Sequence, residues 1–266
     1  MRATHWQGEP VSVWEPVWGV PLVEAWSELG STNDRARTLA RAGTPAWTVV
    51  VADHQTSGRG RVGRRWITPA GTALTASIVL RPRSHAHAGL LPLLTGVAVA
   101  RAIDRLEPGG VAVGLKWPND VWLAGGKLAG ILCEAVGEAV VVGVGLNLRP
   151  APDAEPDPDR NGASDLESAT GRPWRAGALL GALIAELRRC CAVPRVRFEG
   201  AVAREWADRD ILRGRRVRIG AVEGVALGPG ADGALKVRRP DGAVTAVRAG
   251  HVEWSPDEPP PSTNGS

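Results

Sequence analysis

The chain has 266 residues, of which 44% are hydrophobic and 23% charged, and its formal net charge is +4. These values are typical of a globular protein, and no apolar run approaches the roughly 18 residues that a transmembrane helix needs. The N-terminus lacks the apolar core of a signal peptide, so we expect a cytoplasmic location and no membrane partner. The three cysteines, at 133, 190 and 191, have neither C-x-x-C spacing nor a partnering histidine pattern, which excludes the usual disulfide frameworks and zinc sites.

The first elements are an irregular arm, a strand and a helix. Residues 1–20 carry three tryptophans among Pro and Gly, and we expect a wrapping extension or a partly disordered arm there. A short strand is predicted over 22–29. Ser31–Asn33 then precedes an Ala/Leu/Arg run that Gly43 closes, which is typical of a helix with a polar N-cap. Capping alone explains these polar residues, but a helix N-terminus also offers free amides to an anion or a polar ligand.

An arginine- and glycine-rich segment follows a predicted buried strand. The strand is the Val-rich run over 47–52, and residues 58–66 then contain three glycines and four arginines. Glycine lets the backbone approach a ligand closely, and the guanidinium fork suits phosphate and carboxylate oxygens. We therefore expect a flexible cationic loop that closes over an anion. An ordinary basic surface loop is the alternative that this stretch leaves open.

The spacing of Gly58, Gly60 and Gly63 also spells G-x-G-x-x-G, the fingerprint of dinucleotide-binding folds. That fingerprint should open a helix whose amides hold a pyrophosphate. Here the glycines lead to turn residues over 66–71 and then to a predicted strand over 72–80. The pattern therefore does not indicate a dinucleotide-binding fold.

The middle of the chain predicts one long helix and several strands. The helix covers 85–106, with Pro92 and Gly96 as points where it bends or divides. The strands are predicted over 111–116, continuing through Trp117–Asp120 into 121–123, and as a hairpin over 127–136 and 139–148.

The C-terminal part of the chain predicts a loop, two helices and then a series of short strands. An exposed acidic loop over 150–162 precedes two helices over 175–191 and 194–208. Five short strands suit a small barrel, namely 215–220, 223–227, 234–238, 243–248 and 251–254. We divide the chain into an N-terminal extension (1–21), a catalytic domain (22–210), a small barrel domain (211–254) and a disordered tail (255–266).

Four separated segments, in this order and spacing, resemble the biotin protein ligases. They are STN (Ser31–Asn33), QTSGRGRVGRRW (Gln55–Trp66), KWPNDVW with GKLAGIL (Lys116–Trp122, Gly126–Leu132) and GVGLNL (Gly143–Leu148). The resemblance implies an α+β fold. A mixed β-sheet catalytic domain flanked by helices, as in class II synthetases and biotin/lipoyl ligases, is followed by a small C-terminal SH3-like β-barrel. DNA-binding members carry a winged helix-turn-helix before STN, so this chain resembles the type without one, and no DNA partner is expected.

The resemblance implies a two-step reaction. The biotin carboxylate attacks the α-phosphate of ATP with Mg²⁺, giving biotinyl-5′-AMP and pyrophosphate. A lysine of a biotin carboxyl carrier domain of an acyl-CoA carboxylase then attacks this anhydride, and AMP leaves. Because the first two reactants repel each other, cations must be positioned before the reaction. A homodimer is compatible with the resemblance, which does not determine the oligomeric state.

The resemblance also implies roles for individual residues. The catalytic groups are Lys127, Arg61 and Arg59. The biotin site is formed by Ser31, Thr32, Asn33, Gln55, Gly58, Arg59, Gly60, Arg61, Lys127 and Gly130. The ATP site is formed by Arg59, Arg61, Trp66, Lys116, Asn119 and Asn147, and Asp120 is the carboxylate that would bind Mg²⁺. Without the resemblance, Lys127 reads as a solvated turn lysine and Trp66 as a core residue, while Trp117 and Trp122 are assigned to packing.

Three other functions compete with this interpretation. A lipoate- or octanoate-protein ligase shares the fold, but the RR-x-x-GGG-x-V-x-H segment typical of such enzymes is not found in this sequence. A biotin-sensing repressor needs a DNA-reading domain, which residues 1–21 are too short to form. A basic nucleic-acid-binding module could use the arginine loop and the barrel, but the barrel lacks the exposed aromatic platform that such modules use.

Overall fold

The computed structural model describes residues 1–82, 85–151, 162–191 and 197–255. The acidic loop predicted over 150–162 and the tail predicted over 255–266 lie almost wholly outside these residues. None of the described helices is long and apolar enough to cross a membrane.

An eight-stranded mixed sheet forms the centre of the molecule, which confirms the predicted α+β class. Its strands are β1 (Arg2–Ala3), β4 (Val23–Leu29), β5 (Val49–Gln55), β6 (Ala73–Leu80), β7 (Gly114–Lys116), β8 (Asp120–Leu123), β9 (Gly126–Val136) and β10 (Ala139–Asn147), and the short hairpin of β2 (His5–Trp6) and β3 (Glu9–Pro10) lies beside it. The spatial order is β1-β4-β5-β6-β10-β9-β8-β7. Only β4 and β5 pair in parallel among these strands. The predicted β9–β10 hairpin is confirmed across the turn at Gly137.

Six α-helices accompany the sheet in the described residues. They are α1 (Val11–Trp18), α2 (Thr32–Arg41), α3 (Leu91–Leu106), α4 (Leu166–Thr170), α5 (Ala176–Cys191) and α6 (Gly200–Arg209), with a 3₁₀ turn over His85–Leu90. The predicted N-cap of α2 is confirmed, because the Ser31 hydroxyl accepts from the Asp34 amide. The helix predicted over 85–106 divides at Leu90, and Pro92 lies in the first turn of α3, where it displaces no helical hydrogen bond.

Successive side chains of each strand point to opposite faces of the sheet, and the two faces pack against different helices. On β10, Val140, Val142 and Val144 point to the main core, where α3 and α5 cover the sheet. Val141 points to the opposite face and packs against α2. Because successive strand residues face opposite sides, Gly143 belongs to the α2 face as well. The polar N-terminus of α2 therefore lies over the glycine-rich half of β10.

Several sequence predictions need correction. The strand predicted to continue from 111–116 into 121–123 is instead a hairpin, in which β7 reverses into β8 around a turn containing a cis Trp117–Pro118 bond. The second C-terminal helix begins at Gly200 rather than at 194, and the short helix α4 was not predicted. Of the two alternatives expected for residues 1–20, the structure has the wrapping extension, because β1 pairs with β4 and α1 packs against α5.

The N-terminal segment is held by a cluster of three tryptophans. The rings of Trp14 and Trp18 stack with centroids 5.0 Å apart, and Trp6 contacts both edge-on. Gly177 and Gly181 on α5 provide the space, since a Cβ at either position would come within 2.8 Å of an indole. The wrapping extension is thus confirmed, and its tryptophans form part of the core.

A small antiparallel sheet forms the C-terminal unit and is consistent with an SH3-like domain. It contains β11 (Arg216–Ile219), β12 (Val222–Pro229), β13 (Leu235–Arg238) and β14 (Val244–Val247), in that order. The fifth predicted strand is reduced to one bridge between Arg218 and Glu253. Among the described residues, four of the five predicted strands and one bridge at the position of the fifth are therefore observed.

Candidate active site

A buried polar network lies at the N-terminus of α2. The Gln55 side-chain oxygen accepts from the Thr32 amide at 2.8 Å and from the Thr32 hydroxyl at 3.1 Å. The Ser77 hydroxyl contacts the Thr32 hydroxyl at 2.8 Å and donates to the Asn33 side-chain oxygen at 2.6 Å. Because these side chains are buried and hydrogen-bonded to one another, their donors and acceptors have fixed directions. We call these four residues, together with the buried N-cap Ser31 that precedes them on the chain, the polar network.

Glycines form the floor of the site on β9 and β10. A Cβ at Gly143 would lie 2.0 Å from the Asn33 Oδ1 atom, and one at Gly145 would lie 2.4 Å from the Trp66 ring. A Cβ at Gly130 would lie 3.2 Å from the same ring. The absence of side chains at these positions is therefore what lets Asn33 and the Trp66 indole lie directly on the sheet.

The arginine-rich loop, residues 58–66, folds back on itself as a lid. The Trp66 amide donates to the Gly58 carbonyl at 2.9 Å, and the Gly60 amide donates to the Arg64 carbonyl at 2.7 Å. Gly58 is required there, because a Cβ would lie 2.2 Å from the Trp66 carbonyl oxygen. The tip is Val62, whose positive φ and 90% exposure place it in solvent.

The two arginines at the centre of the lid make different contacts. Arg59 forms ion pairs with Asp34 on α2 and with Glu134 on β9. Arg61 donates to the Asn119 side-chain oxygen at 3.1 Å, and burial lowers the pKa of its guanidinium below the ordinary value. An arginine stays charged even so. The lid therefore brings one cation, Arg61, into a largely desolvated position.

Two lysines on strands β7 and β9 lie near the lid arginine Arg61. The Lys127 Nζ atom lies 2.6 Å from the Asp120 Oδ1 atom and 6.0 Å from the Trp66 ring centroid. The Lys116 ammonium lies 5.4 Å from the Trp122 ring centroid and 5.8 Å from that of Trp254. These contacts hold both amines in a defined orientation, since an aromatic face attracts a cation. Lys127 is thus a strand residue with a 22% exposed side chain, and not a solvated turn residue.

Most of the predicted site residues line one cavity of about 250 Å³. Those that line it are Ser31, Thr32, Asn33, Gln55, Arg59, Gly60, Arg61, Trp66, Lys116, Asn119, Asp120, Lys127 and Gly130. Gly58 and Asn147 do not. Gly58 supports the lid, and the Asn147 amide donates to the carbonyls of Lys127 and Ser164 from behind the wall.

The sequence interpretation missed three contributors to this site. Ser77 lies in the apolar strand β6, and Glu134 follows the GKLAGIL motif on β9. Residues 250–252 of the C-terminal unit also line the cavity, and the His251 Nδ1 atom lies 3.2 Å from the Arg64 Nη2 atom of the lid. The alternation of side chains along β6 could have predicted that Ser77 lies on the α2 face. No local sequence pattern predicts that residues 250–252 line the cavity.

One carboxylate, that of Asp120, lines the cavity, and the described residues contain no cluster of three metal-ligating side chains. Mg²⁺ needs no such cluster when a substrate supplies phosphate oxygens, because it keeps several waters and takes one or two carboxylates. With Asp120 as the protein carboxylate, the donor set fits an ion delivered with a polyphosphate.

Comparison with known proteins agrees with this geometry. Residues 29–149 match the model of the biotin/lipoate A/B protein ligase family. The biotin–[acetyl-CoA-carboxylase] ligase of Mycobacterium tuberculosis is 39% identical over 207 residues, which are 73% of this chain and 72% of that protein. The corresponding ligase of Paracoccus denitrificans is 35% identical over 80% of this chain and 92% of its own length. The chain belongs to the biotin protein ligase family.

The share of a relative's length that this chain matches differs from one relative to another. This chain spans 48% of the bifunctional ligase/repressor BirA of Bacillus subtilis, at 38% identity over 158 residues. The biotin protein ligase of Aquifex aeolicus, in a complex with biotin and ATP, superposes with a TM-score of 0.74 at 27% identity, over 88% of this chain and all of that one. The mixed sheet and the small C-terminal sheet of this chain are thus those of the biotin protein ligase fold.

Proposed function

We propose that this family member is an ATP-dependent biotin protein ligase. It activates biotin with ATP to biotinyl-5′-AMP, releases pyrophosphate, and transfers biotin to a lysine of a biotin carboxyl carrier domain. The observation that carries the proposal is that one cavity is lined by four members of the polar network, by the lid arginine Arg61 and by two lysines, Lys116 and Lys127. Relatives crystallised with biotin and ATP, and with biotinyl-5-AMP, support it.

Charge neutralisation is the main task of this site. A carboxylate must approach the α-phosphate of ATP, and both reactants are anions. Arg61, Lys116 and Lys127 are already oriented before the reaction, so they cost no reorganisation in the transition state. Lys127 is our choice for the group nearest the reacting carboxylate, because its ammonium is fixed between Asp120 and Trp66.

The polar network is the proposed recognition site for the biotin ring system. A cyclic urea carries one acceptor and two donors, and a site with fixed hydroxyl and amide groups can pair with all three. Gly143 leaves room for the Asn33 side chain, and Gly130 for the Trp66 ring, which bound the space beside the network. A ligand without these urea groups would make fewer hydrogen bonds to the network.

The adenine base is proposed to pack against Trp66. The indole lies on the glycine floor and is only 7% exposed, so it offers a rigid apolar surface. Mg²⁺ would be held by Asp120 together with phosphate oxygens and would add positive charge at the triphosphate. Arg59 is proposed to act from the lid and not from the phosphate side, since Asp34 and Glu134 already hold its guanidinium.

Transfer requires an acceptor lysine to reach the adenylate. We propose that the catalytic unit (22–210) and the small C-terminal unit (211–254) form this site together, because residues 250–252 line the cavity. Three further statements remain predictions: that the protein binds no DNA, that it forms a homodimer, and that it is cytoplasmic.

Exchange of labelled pyrophosphate into ATP tests the first half-reaction. Biotin, lipoate and octanoate are compared side by side with the same protein. We expect exchange with biotin and a background rate with the two fatty-acid-type substrates. Preference for lipoate or octanoate would favour the ligase of the same fold that acts on those acids.

A further inference from the structure

Glu134 contacts both the lid and the polar network, although it does not line the cavity. It lies on the α2 face of β9, and its side chain is 19% exposed. One carboxylate oxygen, Oε1, lies 2.5 Å from the Arg59 Nη2 atom, and the other, Oε2, accepts from the Asn33 side-chain amide at 3.0 Å. We propose that Glu134 is a positioning residue that keeps the lid closed through Arg59 and orients Asn33 at the same time, an inference that rests on the proposed function.

The charges around Arg59 are balanced without any ligand. Asp34 and Glu134 face two arginines, Arg59 and Arg37, and the Arg37 Nη1 atom lies 3.2 Å from Asp34 and 3.8 Å from Glu134. Both Nη atoms of Arg59 are thus already in contact with carboxylates. Arg61, in contrast, has a neutral amide, that of Asn119, as its hydrogen-bond partner. One lid arginine therefore fastens the loop, and the other one provides charge to the reactants.

The lid is anchored at its C-terminal end by the buried Trp66 indole, which packs on Gly130 and Gly145. Its backbone hydrogen bonds from Gly60 and Trp66 are internal to the loop. Polar contacts with the body include those of Arg59 and Arg61, that of Arg64 with His251, and that of Arg65 with the Thr56 carbonyl at 3.4 Å. Among these, the pair of Arg59 and Glu134 joins two charged groups whose side chains are 34% and 19% exposed. Charge-assisted hydrogen bonds of this kind are roughly twice as strong as neutral ones.

The Glu134→Gln variant removes the negative charge of the Glu134 side chain and keeps its size and shape. Glutamine keeps an oxygen that can accept from Asn33 and loses the ion pair with Arg59. Biotinyl-5′-AMP is formed on the enzyme in a single turnover, and its release into an excess of unlabelled ligand is followed. We expect about tenfold faster release from the variant, the size of one charge-assisted bond. Glu138→Gln, an exposed position in the turn of the same hairpin, should release at the wild-type rate.

A double-mutant cycle distinguishes positioning from general support of the fold. In an Arg59→Met background, Glu134→Gln should change the release rate by less than about twofold, because the partner is already absent. An equal effect in both backgrounds, or unchanged release from Glu134→Gln alone, overturns the proposal. A lower unfolding temperature with wild-type release would show a structural role only and would overturn it as well.

Trypsin cleavage within the lid gives a readout that needs no catalysis. Arg61 and Arg64 are cleavage sites beside the exposed tip, and cleavage reports how often the loop opens. Without any ligand, Glu134→Gln should be cut about tenfold faster there than the wild type and Glu138→Gln. Equal cleavage rates contradict the proposal. If the wild type forms no adenylate, the proposed function fails while this comparison still decides the role of Glu134.

Discussion

Gly143 lies on β10 directly beneath Asn33, where an added Cβ would meet the Oδ1 atom at 2.0 Å. Gly143→Ala should therefore push Asn33 out of the polar network. Overpacking of this kind costs about 1–3 kcal/mol, and we expect biotin affinity to fall at least about tenfold. Isothermal titration with biotin measures it. Gly89→Ala, with no atom within 4 Å of the new Cβ, serves as the control. Unchanged affinity in Gly143→Ala would show that Asn33 has no part in binding.

At the residue level, the family resemblance of the motifs was needed to assign Lys127, Arg61 and Gln55 to one site. The three side chains line one cavity, and their roles stay predictions. Ser77 and Glu134 were missed for a physical reason. Each lies in an apolar strand, and its importance comes from partners that are distant in sequence, Asn33 in both cases.

At the scale of elements, the junction between α6 and the C-terminal sheet carries a buried carboxylate. Asp210 bridges to Leu115 of β7, and its Oδ1 atom accepts from the Leu212 amide at 2.9 Å. The Oδ2 atom is buried with no hydrogen-bond partner among the described residues. Burial accordingly raises the pKa of Asp210 from 3.8 to about 6.

This raised pKa predicts a pH-dependent stability difference for Asp210→Asn. The folded state holds the proton more tightly than the unfolded state, so stability from this group is present below pH 3.8 and is lost as pH rises through about 6. Asparagine never ionises and can keep the bond from Leu212. The variant should gain about 2–3 kcal/mol relative to wild type between pH 4 and roughly pH 7.5. Urea denaturation at both pH values measures this, with exposed Asp208→Asn as the control. A flat difference for Asp210→Asn would show that the carboxyl is solvated.

Elements were predicted well where the pattern was local. The β9–β10 hairpin follows from two apolar runs around a Gly-Glu turn, and α2 follows from its cap. The β7–β8 reversal was missed because Trp117 and Pro118 sit between two apolar segments that read as one strand. The fifth C-terminal strand was overestimated, since only Glu253 pairs back to Arg218.

At the scale of the whole molecule, the N-terminal segment acts as a clamp across the sheet and α5. Trp18 is 6% exposed, and its indole nitrogen donates to the Gly177 carbonyl at 3.1 Å. Trp18→Ala should lower the free energy of unfolding by about 3–5 kcal/mol, because a large buried ring leaves a cavity. Urea denaturation measures it. Val17→Ala, on the same helix but 64% exposed, should change it by less than about 0.5 kcal/mol. Similar effects from the two variants would contradict a clamping role.

The C-terminal unit contacts the catalytic unit in a way that the sequence did not predict. The sequence predicted a small separate domain, and the structure places residues 250–252 in the wall of the cavity. The Trp117 indole donates to the Gly233 carbonyl at 2.9 Å, which joins the two sheets behind the site. Such docking depends on surface shape, which residue type and spacing do not encode.

The central claim is that Lys127 and the lid bring two anions together. Biotin-dependent exchange of pyrophosphate into ATP tests it most directly, with wild type, Lys127→Met and the exposed lysine variant Lys236→Met compared at saturating substrates. We predict exchange in the wild type and in Lys236→Met, and a loss of about 100-fold or more in Lys127→Met. No exchange in the wild type, or full exchange in Lys127→Met, would contradict the account.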